Sequence, residues 1–217
     1  MKAAVAVILA ALCAGCASQP KEARVQWSAP PEAAKPKAPA LIIESKTPEI
    51  PQWAAVYEEQ GISGVEALAD YAGMYLFIGA NAGRNFGALS QWLEGFTVSH
   101  DFAPLAASRV QARFTRESAT FPDQDFGAFF EGAVKGAADA AYTGAVKEAD
   151  FWVKKRYFKE DGATVDREAY EFLILVKIDK EALRSQLDAI LNAVPVRGAK
   201  DQTASANRLK ASFYDNF

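Results

Sequence analysis

Ser99-His100-Asp101 holds the three residue types of a hydrolase triad in adjacent positions, and the adjacency disqualifies it. A triad is assembled across a fold, because three neighbouring side chains cannot converge on one another's functional atoms. A helix cap beside a surface histidine is the expectation, and no Gly-x-Ser-x-Gly elbow is present. Gly79-Ala80-Asn81-Ala82-Gly83 follows a strand-like run as a phosphate loop would. It lacks both the G-x-G-x-x-G spacing and the Gly-Lys-Ser/Thr ending, so a turn is expected. The carboxylate pairs Glu58-Glu59, Glu148/Asp150 and Glu160-Asp161 are of the kind found on surface helices and turns, and nothing places any two across a cleft. No catalytic residue is expected, and the chain reads as non-enzymatic.

The residues with a defined chemical fate are the cysteines. Lys2 supplies a positive start, Ala3 to Leu12 an apolar run, and Ala14-Gly15 two small residues before Cys16, the order of an export signal. The run is too short to span a bilayer, which needs about 20 apolar residues. The pattern resembles the lipobox of bacterial lipoproteins, with Cys13 where Leu is usual, and implies cleavage before Cys16 and its lipidation. The alternative is a plain secretory cut near Ala14, Gly15 or Ala17; either way the chain is exported. Acyl chains on Cys16, at about 0.8 kcal/mol per buried CH₂, would make the anchor effectively permanent. In lipoproteins of this resemblance, Ala17 rather than an aspartate after the cysteine implies passage to the outer membrane.

With Cys13 removed and Cys16 acylated, the folded part has no thiol. Disulfides, zinc fingers and a cysteine nucleophile drop out, and a single histidine rules out a multi-His metal centre. Calcium at Lys159-Glu160-Asp161-Gly162 would need an EF-hand spacing that is not there, and a turn is expected. No cofactor and no metal site are therefore expected. The 24 Lys and Arg against 27 Asp and Glu are interspersed, with no basic stripe for nucleic acid. Lys154-Lys155-Arg156 is the one dense basic cluster. On a strand its members split between two faces, which leaves Trp152, Lys154 and Arg156 together as a candidate partner surface.

The elements that must position these residues divide the chain into 1–15 as signal, 16–51 as a lipidated proline-rich tether, 52–198 as one α+β domain, and 199–217 as a tail. Seven of ten prolines fall between Pro20 and Pro51, a composition that cannot form a helix or a core. Flexible, about 35 such residues span roughly 30 Å, and in polyproline form about 100 Å. Ala40-Leu41-Ile42-Ile43-Glu44 is the exception and could dock as an edge strand or lie in a groove. Beyond Ile50-Pro51-Gln52-Trp53, a short helix is expected around Val65 to Tyr71. A buried strand follows near 73–79, then a turn over Ala80 to Arg84. Leu89, Trp92, Leu93 and Phe96 mark a helix, and Ser99 or Asp101 caps the next, with Pro104 in its first turn. An alanine-rich helix begins at Asp125, where the small residues Gly127, Gly132, Gly136, Ala138 and Ala141 thin the side away from its aromatic face and imply close helix or sheet contact. A hairpin at 147–178 turns at Glu160-Asp161-Gly162, and Asp179 caps a last helix whose stripe is Leu183, Leu187, Ile190 and Leu191. Leu209 and Phe213 suggest a small packing helix in the tail. The fold class is α+β, a small antiparallel sheet with helices packed on one face.

Pro51-Gln52-Trp53, the strand Tyr75-Leu76-Phe77-Ile78-Gly79, the pair Phe151-Trp152-Val153-Lys154 and Tyr170-Glu171-Phe172-Leu173-Ile174-Leu175-Val176, and Asp179-Lys180-Glu181 together resemble the twenty-kilodalton outer-membrane lipoprotein family of Helicobacter, which includes the flagellar lipoprotein FlgP. The resemblance covers roughly Gln52 to Asn192 and departs at Pro104 and Phe121-Pro122, where that family has one smoother helix. It implies an envelope lipoprotein without catalytic residues, sometimes built into flagellar or outer-membrane assemblies, and it transfers no functional residue. The expected function is a binding or assembly role at the outer membrane, with the domain in the periplasm and an envelope protein or a second copy as partner. The edge strands of the hairpin are the expected contact. An activator reaching an envelope enzyme through its tether, a carrier of lipid or another hydrophobic ligand, and a carboxylate hydrolase are the alternatives.

Overall fold

β4, Val165–Asp179, organises the molecule because its middle is apolar at every position, not at every second one. Phe172, Ile174, Leu175 and Val176 are all fully buried, as a strand covered on both faces requires. The computed structural model describes residues 40–118, 124–195, 213, 214 and 217. β4 pairs antiparallel with β3, Val146–Phe158, and with β2, Met74–Gly83; β1, Ala40–Ser45, pairs with β3. The strand order is β1-β3-β4-β2. Asp161 closes the hairpin by accepting from the backbone N–H groups of Ala163 and Thr164, and Gly162 supplies the left-handed φ of 68°.

One face of the sheet carries α2, Phe86–Gly95, α3, Val98–Ser118, α4, Gln124–Asp139, and α5, Lys180–Ala193. Tyr75, Phe77, Ile174, Val176 and Ile178 meet Phe102, Val110, Phe114, Phe129, Leu183 and Leu187 there. The other face carries α1, Gln52–Glu66, whose Trp53, Ala54 and Val65 pack on Leu76, Phe151, Val153 and Leu175. The α+β class is as expected. The restriction of helices to one face is corrected, since the unbroken apolar run of β4 leaves a second face that α1 must cover.

Several local expectations shift for identifiable reasons. The first strand starts at Ala40, so the domain begins ahead of Gln52, and Ala40 to Glu44 takes the edge-strand option. The helix expected at Val65 to Tyr71 is instead α1, followed by a one-turn 3-10 helix at Ala69–Tyr71. Gly61, at φ 71°, breaks α1 and its apolar period. Residues 80–83, expected to turn, continue β2 because Leu173 to Tyr170 of β4 pair with them. Asn85 caps α2 by accepting from the Ala88 N–H. α3 begins before Ser99, so Pro104 lies inside it and not in its first turn. Asp101 caps from within, its Oδ2 accepting from the Thr97 N–H at 2.7 Å.

Of the small residues expected in close contact, Gly132 and Gly136 of α4 are so packed, whereas Ala138 and Ala141 are exposed. A Cβ on Gly132 would meet Val194 Cγ1, and one on Gly136 would meet Ile190 Cγ2, each at 2.8 Å. Asp179 caps α5 by accepting from Ala182 N–H at 2.9 Å. In the tail, Phe213 is fully buried against Phe114, and Phe217 packs edge-on against Tyr75. Leu209 lies outside the described residues.

The expected contact, the edges of the hairpin strands, is corrected for β4, which is central, and for β3 over residues 153–157, where β1 pairs with it; residues 146–151 of β3 pair with β4 alone among the described pairs. The edges are β1 and β2. At Leu76 the outer edge of β2 is already occupied, its N–H donating to Glu66 Oε1 and its carbonyl accepting from Arg109 Nη1. Arg109 also binds both oxygens of Glu66, at 2.7 and 3.2 Å. The two side chains thus join α1 to α3 around the sheet and block strand addition at that point.

Candidate functional site

β3 sorts its residues by parity. Trp152, Lys154 and Arg156 stand on the face that carries α2 to α5, and Phe151, Val153 and Lys155 on the α1 face, as a strand demands. The helices cover only part of their face. Beyond them, cross-strand rows continue: Trp152 opposite Phe172, Lys154 opposite Tyr170, and Arg156 opposite Glu168, with Leu41 of β1 beside Arg156 and Glu44 beside Lys154. The structure therefore brings the three expected residues together.

Phe86, the first residue of α2, lies over the aromatic end of this patch. Its ring is 5.0 Å from Trp152, 5.1 Å from Tyr170 and 5.5 Å from Phe172, edge-on to each. Trp152 and Phe172 stack at 6.0 Å. Such aromatic pairs add about 0.5–1.5 kcal/mol each beyond burial. Phe86 nevertheless remains 38% exposed, and Leu41 53%. At the charged end, Arg156 Nη2 and Lys154 Nζ reach the two oxygens of Glu168 at 2.7 and 3.2 Å, and Lys154 lies 5.5 Å over the Tyr170 ring. Hydrogen bonds from Arg156 and then Lys154 hold the Glu168 carboxyl below its ordinary pKa, and Glu168 in turn raises Lys154. The patch is an aromatic platform beside a fixed, largely compensated ion cluster. Sequence reasoning missed Phe86, because its contact depends on where α2 crosses the sheet.

The opposite face holds a second polar cluster. Lys155 is buried, its Nζ 2.7 Å from Glu58 Oε1 and 2.8 Å from Glu171 Oε2, and Tyr157 Oη donates to Glu171. Burial alone would push the ammonium down, but the two carboxylates outweigh it and its pKa is raised. Such an amine stays protonated and is no nucleophile. Beside it is a cleft of about 50 Å³ between Ile42, Tyr57, Phe151 and Leu173. That space suits water, whereas ligand pockets run to about 300–1,000 Å³.

The remaining candidates are dispersed. The side chain of His100 is 87% exposed and touches only its neighbour Asp101 among the described contacts, at 2.9 Å, so the three residues do not form a relay. Glu148 pairs with Lys177, Asp150 with Lys46 and Lys147, and Asp161 serves the hairpin turn. Cys16 lies outside the described residues. Among the described residues no group of three or more His, Cys, Asp or Glu could hold a metal, and no helix is long and apolar enough to cross a membrane. No family model, no curated protein and no solved structure matches the chain.

Proposed function

We propose that this chain is a lipid-anchored protein of the bacterial envelope, acylated at Cys16 and held at the outer membrane. Its domain acts by binding or assembly, not by catalysis, in keeping with the resemblance to the Helicobacter lipoprotein family. The observation that carries the binding role is the open half of the sheet face. Trp152, Lys154 and Arg156 are gathered there with Tyr170 and Leu41, all set on strands, and with Phe86 at the start of α2. A platform of that kind is suited to contact, because its aromatic anchors are already ordered and lose little freedom on binding.

The site chemistry supports the non-enzymatic reading. Of the acids that were candidates for hydrolysis, Glu58, Glu148 and Asp150 are tied to lysines and Asp161 to a turn, and the cleft beside Lys155 has no room for an acyl chain or a sugar. A photoreactive residue at position 152 in the full chain, irradiated in intact cells, is the test. A defined adduct that is absent from the same probe at exposed Glu131 supports the binding face. No adduct above the Glu131 background rejects it.

A further inference from the structure

Residues 1–39 enter the domain at Ala40, and Ala40 and Leu41 pair with Tyr157 and Arg156 of β3. The chain leading to Cys16 therefore joins the sheet at the charged end of the aromatic patch, not at the helix-covered end. We propose that this patch lies against the surface of the same membrane that holds Cys16, with Phe86 and Leu41 as its inserting side chains. The proposal rests on the lipid-anchor reading and names the partner of the binding face.

Two observations favour a lipid surface. The residue types are those that settle at the level of lipid headgroups: Trp152 and Tyr170 present apolar rings with polar tips, and Lys154 and Arg156 present cations on apolar stems. Two exposed members, Leu41 at 53% and Phe86 at 38%, are wholly apolar. Formal charge is balanced, Lys154 and Arg156 standing against Glu44 and Glu168, so the contact is apolar in origin and must be weak on its own.

The tether makes a weak contact sufficient. The 23 residues between Cys16 and Ala40 can span no more than about 80 Å even fully extended. Confinement within that radius of the bilayer corresponds to an effective concentration on the order of 1 mM. A patch with mM affinity, undetectable in a free domain, is then about half occupied.

The test uses the full acylated chain in vesicles of phosphatidylethanolamine and phosphatidylglycerol with brominated acyl chains. With Cys16 acylated, the single cysteines of A88C, beside Phe86, and of E131C, on α4, take a fluorescent label. The label at 88 should be quenched at least threefold more than the label at 131. Both L41S and F86S should reduce that difference. Equal quenching at 88 and 131 in protein that floats with the vesicles overturns the proposal while leaving the anchor intact. Failure to float, with Cys16 unmodified by mass, overturns the anchor reading and this proposal with it. Adducts to an envelope protein instead of lipid from the probe at 152 overturn the choice of partner.

Discussion

Replacing Arg109 with Met removes the charge that joins the two sides of the sheet while keeping a stem of similar length. Arg109 and Glu66 are each only 15% exposed. Arg109 donates to both oxygens of Glu66 and to the Leu76 carbonyl. The guanidinium also lies 4.8 Å over Phe217, 4.9 Å over Tyr75 and 5.3 Å over Phe77. Its loss leaves Glu66 largely desolvated without its cation and the Leu76 carbonyl without a donor. Breaking a fully buried pair costs about 3–5 kcal/mol, and the residual exposure of both partners places this one near the lower end, about 3 kcal/mol. At roughly 2–4 °C per kcal/mol for a chain of this size, R109M should melt about 6–12 °C below the parent. Urea unfolding at pH 7 by circular dichroism gives the free energy, and E66L and E66L/R109M complete a double-mutant cycle. The double variant should lose at least 1 kcal/mol less than the two single losses combined. A cost for R109M below about 1 kcal/mol, or additive effects, would refute the assignment of this pair as the link between α1, β2 and α3.

Three further outcomes follow from local geometry. G136A should destabilise by about 1–2 kcal/mol despite the better helix propensity of alanine, because its Cβ would meet Ile190 Cγ2 at 2.8 Å. G95A, with no atom within 4 Å of the new Cβ, should be neutral or stabilising, and chemical denaturation of both variants separates the effects. The raised pKa of Lys155 means that its contribution is complete below the ordinary lysine value near ~10.4 and fades as pH rises through the higher folded value. The raised pKa of the Tyr157 hydroxyl, from burial and then Glu171, acts in the same direction. The urea midpoint should therefore fall between pH 10 and 12, less steeply in K155M than in the parent; equal slopes would remove Lys155 as a cause. D179A should cost about 1 kcal/mol by deleting the cap on Ala182 N–H, with D179N retaining most of it.

The parts of this fold legible in the sequence are those whose signal is local. The hairpin, its Asp161-Gly162 turn, the Asp179 cap and the close approach at Gly132 and Gly136 each depend on a few neighbouring residues, and each appears where expected. Trp152, Lys154 and Arg156 also share a face, because strand parity is a local property. What escaped was set by partners distant in the chain. Residues 80–83 have the glycines and asparagine of a turn, yet β4 holds them in a strand. α1 is interrupted by Gly61, and its place on the second face is dictated by the unbroken apolar run in β4. The run Phe172-Leu173-Ile174-Leu175-Val176 carries that information, because a strand apolar at every position needs cover on both faces, but it does not say which helix supplies the second cover. Phe86 joined the site through an aromatic contact that no spacing rule anticipates.

The proposed anchor at Cys16 is what would make this domain an envelope protein, and the mass of the mature N-terminal peptide tests it directly. Protein purified from membranes of the expressing bacterium should begin at Cys16 and carry diacylglyceryl and acyl groups there, with C16S shifting to the soluble fraction. A mature chain that begins at Ser18 or retains Met1, with no acyl mass on Cys16, would contradict the account.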